Sequence, residues 1–417
     1  MKRNDDIINV STKHVRLRTV LFCVFAALAI TGITFGVLQI GKKTEGFQTV
    51  TAQQDDDLPR YQNGVQFTYL MQGSSSEIKL LNNELTRIYT DALKRSWKLL
   101  SAVETYADTE NLASLNENVG QPVSVPQELY DILLDADRKT REQKGYSLYA
   151  GALYAEQNAI LVLYDAQSFD PLVNEDSRER LDRLREATAD LDSFQLEIVD
   201  AASCTLRFTV AQSYLDLLTE LEVEAPILDL NLLFEAYRLE LVRTAIEAEG
   251  YDKGYLSDDS GLSLALSGLG EGEYCFYGRT DEGVTPAAYA LLTEGSVFSQ
   301  FRAFPAYEDE SGFYTLETGG RSLLRHPYFP SSGEYADVLL SSVVLGSDLP
   351  AQEAVYLNVQ LAACPDRAAV KTLAAAHPET CIAWTLQNDT TQTVYVNQNE
   401  TTELRAAVEY GWQLSEE

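Results

Sequence analysis

Histidine is scarce in this chain, with three among 417 residues, and methionine is scarcer, with two. Imidazole chemistry is therefore restricted to His14, His326 and His377. His14 lies in a short tail before a hydrophobic segment, and His377 precedes Pro378 in a turn, which leaves His326. Cysteine is also sparse: Cys23 falls in the hydrophobic segment, and Cys204, Cys275, Cys364 and Cys381 are scattered without Cys-x-x-Cys spacing. That pattern encodes neither a disulfide framework nor a zinc site. Cys364 and Cys381 are left as one conceivable bridge in an exported domain. There is no glycine-rich phosphate loop of the P-loop or dinucleotide kind, and no internal repeat. Positive charge is deficient, with 32 Lys and Arg against 63 Asp and Glu. Residues 44–417 hold 25 of those basic residues and 61 of the acidic ones, a net of −36. Such a surface repels nucleic acid and anionic lipid headgroups.

What is present begins with Thr19 to Gly41, a mostly apolar run without charge. At about 1.5 Å per residue it spans roughly 35 Å, enough for a bilayer core. No small-x-small cleavage site precedes Lys42-Lys43, so a signal anchor is expected rather than a cleaved leader. Lys2, Arg3, Lys13, Arg16 and Arg18 precede it, which orients the N-terminus to the cytoplasm and the remainder outside. The expected organisation is a cytoplasmic tail at 1–18, a transmembrane helix at 19–41, a polar linker at 42–62 and an extracytoplasmic domain at 63–417. Localisation follows: a single-pass protein of the cell membrane.

Within the domain, Val65 to Met71 alternates as a strand, and Gly73-Ser74-Ser75-Ser76 ends it. Ile78, Leu81, Leu85, Ile88, Leu93, Trp97, Leu100 and Val103 then recur at three- or four-residue steps, an amphipathic helix opened by a serine cap. Pro126 opens a second helix, and residues 170–190 read as a charged one. Residues 194–198 and 204–210 alternate around Asp200 to Ser203, a hairpin signature. A long helix follows Asp229 and stops at Gly250. Glycine-punctuated hairpins fill 255–277, a helix broken near Pro365 fits 351–376, and two strands meet around Asn388-Asp389. Hairpins and long helices without a strict βαβ rhythm indicate an α+β fold.

Several segments, in order, resemble the FAD:protein FMN transferases, the ApbE family, from about residue 64 to 400. Thr105 to Asn116 (TYADTENLASLN) is similar to the family's Thr-Tyr-x-x-Asp-Ser-Glu-Leu-Ser-Arg-Leu-Asn segment. Pro122 to Leu129 is similar to the segment that opens its next helix. Tyr146 to Leu153 falls where the family has Phe-Asp-x-Thr-Val-Gly-Pro-Leu. Leu228-Asp229-Leu230 and Tyr237 fall on its Leu-Asp-Leu-Gly-Gly-Ile-Ala-Lys-Gly-Tyr. Arg325 to Gly333 (RHPYFPSSG) falls on its Ser-His-Ile-Ile-Asp-Pro-x-Thr-Gly.

The resemblance implies an ApbE-like flavin transferase fold behind the N-terminal helix. It also implies FAD as flavin donor, a divalent cation such as Mg²⁺, and a partner flavoprotein carrying the acceptor threonine. It gives Tyr106 the flavin-stacking position and His326 the transfer-site histidine. Other positions depart from the family pattern. Phe329 stands where the family has Asp, Glu235 where it has Lys, and Asn231 and Leu232 where it has two glycines. Val355 and Val359 fall on the metal-ligand pair, and neither coordinates a hard cation, which takes oxygen ligands. Glu353 and Asn358 lie nearby, but helical phase directs them elsewhere. Of the Asp258-Asp259-Ser260-Gly261 turn only the last glycine fits the family. The departures imply a non-catalytic, pseudoenzyme member acting as a binding or scaffold domain. The alternative is an active transferase attaching FMN to a threonine.

Overall fold

The computed structural model describes residues 44–163, 165–270, 272–292, 294–307, 310, 312–326, 338–387, 391–397 and 404–416. The expected tail and membrane helix, 1–18 and 19–41, lie outside these residues. Among the described residues no helix is long and apolar enough to cross a membrane. Two compact units divide the chain: Leu70–Glu84 with the chain up to Gln48, and Thr49–Tyr69 with Leu85–Glu417.

The smaller unit holds most of β1 (Thr44–Val50), the end of β2 (Val65–Gly73) and the first turns of α1 (Ser75–Leu100). Ser74 and Glu77 form the expected cap: the Ser74 amide and hydroxyl both donate to Glu77 Oε2 at 2.7 Å. Within the expected polar linker at 42–62 the chain forms β1. Its residues 45 and 47–49 are exposed, so it carries no apolar alternation for a sequence pattern to show. In the larger unit the same stretch buries Val50, Leu58 and Tyr61.

The larger unit is built on a sheet. β6 (Gly254–Asp258), β7 (Leu262–Ala265), β10 (Val297–Arg302), β13 (Leu339–Gly346), β14 (Cys381–Leu386), β15 (Thr393–Val396) and β17 (Gln413–Glu416) follow β2 in that spatial order. Neighbours run antiparallel, except for β15 and β17, which are parallel. β10 is buried at all six positions, as a central strand covered on both faces must be.

One face meets a second sheet, of β8 (Gly272–Thr280), β9 (Gly283–Leu292) and β16 (Leu404–Ala406). There Phe276, Ala288 and Ala290 pack with Phe298, Val343, Leu345 and Ala383. Against the other face lie α8 (Phe234–Ala248) and α9 (Ala351–Ala362). Before α8 the chain forms α2 (Leu112–Glu117), β3 (Pro122–Ser124), α3 (Gln127–Arg141), α4 (Gly151–Asn158), α5 (Ala166–Phe169), α6 (Glu175–Ala189), β4 (Phe194–Asp200), β5 (Thr205–Val210) and α7 (Gln212–Glu220). All of these segments except α5 share one core, in which Leu115, Leu129, Leu133, Tyr149, Leu153, Leu206 and Phe208 are buried. The hairpin of β11 (Tyr314–Thr318) and β12 (Arg321–Arg325), and the helix α10 (Arg367–Ala375), complete the fold. All four cysteines of the described residues are free thiols, so Cys364 and Cys381 are not bridged.

Candidate functional site

A cleft of about 210 Å³ opens where α8 begins, between β10, the β6–β7 turn and α9. Asn231, Leu232, Glu235, Ser260, Ser299, Gln300, Phe301, Val355, Asn358, Val359 and Ala362 line it. Three segments singled out in the sequence thus meet in one place: the run after Leu228, the Asp258–Gly261 turn, and the helix carrying Val355 and Val359.

Each wall has a local cause. Asn231 takes a left-handed backbone, φ +48°, in the short 3-10 turn Asn231–Leu233 that leads into α8. Its amide donates to Asp229 Oδ1 and its side chain to the Asp229 carbonyl, both at 2.8 Å. Asparagine tolerates this conformation better than most residues because its side chain bonds locally. Asn231 thus takes a backbone conformation that favours glycine. In the β6–β7 turn, Asp258 Oδ1 accepts from the Ser260 hydroxyl at 2.8 Å and from the amides of Gly261 at 3.0 Å and Leu262 at 2.8 Å. Gly261 sits at φ +105° with the Gln300 carbonyl 3.0 Å from where a Cβ would be, which accounts for this one retained glycine.

Among the described residues Glu235 is the one ionisable group lining the cleft. Burial raises its carboxyl to about 7; Arg238 opposes that shift, and Asp258 and Asp259 add to it. Burial likewise raises Asp258 to about 6, against its hydrogen bonds. Arg238, fully buried, donates through one Nη to both Glu235 oxygens at 3.0 and 3.1 Å, and through the other to the Tyr61 carbonyl. Its guanidinium lies 5.3 Å from the Trp97 ring centroid. The charge reversal at Glu235 is thus partnered from one helical turn away, a pairing that i, i+3 spacing permits.

Asn358 corrects the phase argument, because it does line the cleft. Its Oδ1 accepts from Ser342 Oγ at 2.8 Å, and its Nδ2 donates to the Ser299 carbonyl at 2.7 Å and to Ser299 Oγ at 2.8 Å. It pins α9 to β10 and β13, and its amide is thereby committed. Glu353 does point elsewhere. Its Oε1 meets Lys139 Nζ at 2.6 Å and Arg138 Nη2 at 3.0 Å. Lys139, with no exposed side chain, also binds Asp135 Oδ2 at 2.6 Å, and Tyr237 of α8 donates to that same oxygen at 2.7 Å. Tyr356 of α9 donates to the Lys139 carbonyl at 3.1 Å.

The donor set does not fit a divalent cation bound to a diphosphate. Val355 and Val359 bring methyl groups, and Asn358 is engaged. Among the described residues no lysine or arginine lines the cleft to meet phosphate charge. Among the described residues no group of three or more His, Cys, Asp and Glu side chains is arranged to hold a metal.

His326 follows β12 and is buried, its ring edge-on to Phe301 of the cleft at 5.5 Å. Burial, and then the Arg325 charge, lowers it to about 3, so it is neutral at physiological pH. Arg325 itself is bound to the fully buried Asp170, Nε to Oδ2 at 2.7 Å, and Tyr314 donates to that same oxygen. Pro327 to Asp337, with Phe329, Pro330 and Gly333, lie outside the described residues.

Tyr106 does not line this cleft. It bridges to Thr109, donates to Glu104 Oε2 at 2.7 Å, and has Lys98 Nζ 5.4 Å from its ring centroid. Burial and Glu104 push its hydroxyl up to about 12. Glu104 lines a second, larger cleft of about 570 Å³, with Trp97, Leu100, Asp229 and Phe234. Residues 229–235 thus contribute to both clefts. Sequence reasoning placed Trp97 on a helix face only; its edge-to-face contact with Phe234 at 5.9 Å spans a separation that helical periodicity does not report.

No protein-family model matches the sequence, and no curated protein does. Solved structures do match in fold. The ApbE protein of Thermotoga maritima superposes at a TM-score of 0.55 with 12% identity, over 86% of this chain and 98% of that one. Flavin transferase ApbE from Vibrio cholerae gives 0.54 and 11%, over 88% and 99%. The apo flavinyl transferase ApbE of Pseudomonas stutzeri gives 0.52 and 13%, over 86% and 95%. The chain resembles these ApbE structures in fold along nearly their whole length.

Proposed function

We propose that this protein is a non-catalytic relative of the flavin transferases, a binding or scaffold domain held on the extracytoplasmic side of the cell membrane by residues 19–41. One observation carries the reading: Val355, Val359, Leu232 and Phe301 line the cleft that the sequence aligns with the family's metal and diphosphate site. A cleft whose charged ligands have become hydrophobic binds apolar groups better than phosphates. The partner is a protein or small molecule met outside the cytoplasm, and nucleic acid is disfavoured by the acidic surface.

The second reading is an active transferase moving FMN from FAD to a threonine of a partner flavoprotein. It is favoured by the fold match over almost the full length of three ApbE structures, and by the aromatic cleft of Trp97 and Phe234 beside Tyr106. One experiment separates the two. The full-length chain is mixed with FAD, Mg²⁺ and a threonine-bearing acceptor, and FAD binding and AMP release are measured. The non-catalytic reading expects no AMP above a His326→Ala control, and AMP release above that control overturns it. The anchor is checked by carbonate extraction of membranes, which should leave the protein in the pellet; recovery in the supernatant counts against it.

A further inference from the structure

We propose that the 210 Å³ cleft is a binding site for a small aromatic amine, a cation carrying one or two fused rings. The proposal rests on the non-catalytic reading and gives it a ligand class.

Size sets the first limit. An apolar protein cavity of about 150 Å³ holds a benzene molecule. At about 210 Å³ this cleft holds a bicyclic group. Leu232, Phe301, Val355, Val359 and Ala362 present hydrocarbon to such a ring.

Charge sets the second. Glu235, about one-third exposed, faces the cleft. The charged groups acting on it are Arg238 from its own helix and Asp258 and Asp259 from the β6–β7 turn. Neither β10 nor α9 adds a charged side chain to the lining. Glu235 is paired with Arg238, and the further carboxylates of Asp258 and Asp259 tip the local charge to negative, so the cleft favours a cation over an anion. Arg238 reaches Glu235 through a single nitrogen, and a carboxylate offers about four acceptor positions.

Hydrogen-bond polarity sets the third. Asn231, Gln300 and Asn358 already donate to Asp229, Tyr277 and Ser299, and the Ser260 hydroxyl donates to Asp258. The committed amides leave Glu235 to accept from the ligand. An ammonium group on a flat apolar body satisfies all three limits.

Calorimetry on the full-length chain with three indoles of similar shape tests this: tryptamine, neutral indole, and indole acetate. Tryptamine should bind at least about tenfold more tightly than indole, as a partly buried ion pair allows, with indole acetate weakest. Val355→Trp, which fills the cleft, should abolish binding. Glu235→Gln should bring tryptamine down to the level of indole. If that variant fails to fold because Arg238 loses its counter-charge, the ligand series and Val355→Trp still decide. The proposal is overturned if indole acetate matches tryptamine, if Val355→Trp leaves binding unchanged, or if tryptamine gives no binding at millimolar concentration. None of these results bears on transfer activity, which FAD and AMP measurements read separately.

Discussion

Asn358→Leu offers the sharpest test of how the cleft is built. The wild-type amide is 5% exposed and makes three hydrogen bonds, one from Ser342 and two to Ser299. Leucine keeps much of the volume but leaves the Ser299 carbonyl and two hydroxyls buried without this partner. A net hydrogen bond contributes about 1 kcal/mol, and a buried group left unsatisfied costs about 1–3 kcal/mol. The expected loss is therefore about 3 kcal/mol, read as a lower urea midpoint. Asn358→Asp sharpens the test, since it keeps the shape but exchanges the donor for a carboxylate facing the Ser299 carbonyl. Burial beside that oxygen would raise its folded pKa above the ordinary value of about 3.9. The folded state then holds the proton more tightly than the unfolded state, so stability falls as pH rises above about 4. The Asp variant should be worse than the Leu variant at pH 8 and recover towards pH 5. A loss below about 1 kcal/mol for Leu, or an Asp variant indifferent to pH, would show that α9 is held to the sheet by something else.

His326, lowered to about 3 by burial, should stay neutral from pH 8 to 5, with constant imidazole nitrogen shifts by NMR. Its folded pKa lies below the unfolded value of about 6.5, so it withdraws stability as pH falls through 6.5 towards 3, by up to about 1.4 kcal/mol per pH unit. His326→Phe should flatten that acid limb of the denaturation profile; an unchanged limb refutes the assignment. Gly151→Ala would place a Cβ 2.4 Å from the Pro226 carbonyl oxygen and should destabilise by about 1–3 kcal/mol, while a wild-type melting temperature would show that the chain there yields freely. Alkylation under denaturing conditions without reductant should modify Cys204, Cys275, Cys364 and Cys381; a protected Cys364 and Cys381 pair would contradict the free thiols.

Much of the fold was legible because its signals are local. The serine cap before α1, the 194–210 hairpin, Gly250 closing α8 and the break before α10 each depend on a few neighbouring residues. The core around α4 and strands β9 to β13 was harder to see. β10 reads Val-Phe-Ser-Gln-Phe-Arg, and its buried Gln300 and Arg302 find partners in Tyr277 and Glu310, which no period announces. At the site, the family resemblance picked out Asn231, Leu232, Glu235, Val355 and Val359, and the fold brings all five to one cleft. Two features escaped. Asn358 was assigned the wrong direction because helical phase counts turns, whereas a cleft wall spans more than one row of side chains. The second contact of Arg238 went unnoticed because the Tyr61 carbonyl is a backbone atom 177 residues away.

The buried Lys139 has a consequence for how selective the cleft can be. α8 and α9 form two of its walls, and both are fastened from behind to the same cluster, α8 by Tyr237 and α9 by Glu353 and Tyr356. Spreading the walls to admit a larger guest would pull on this cluster. Stripping a buried charge of one partner costs about 3–5 kcal/mol. The opening therefore behaves as a fixed gauge rather than an adjustable grip. Affinity should rise with guest size until the bore is filled and then collapse within one added ring. Any retuning of what fits would come from substitutions at Asp135, Lys139 or Glu353, behind the walls, as readily as from the side chains that a guest touches.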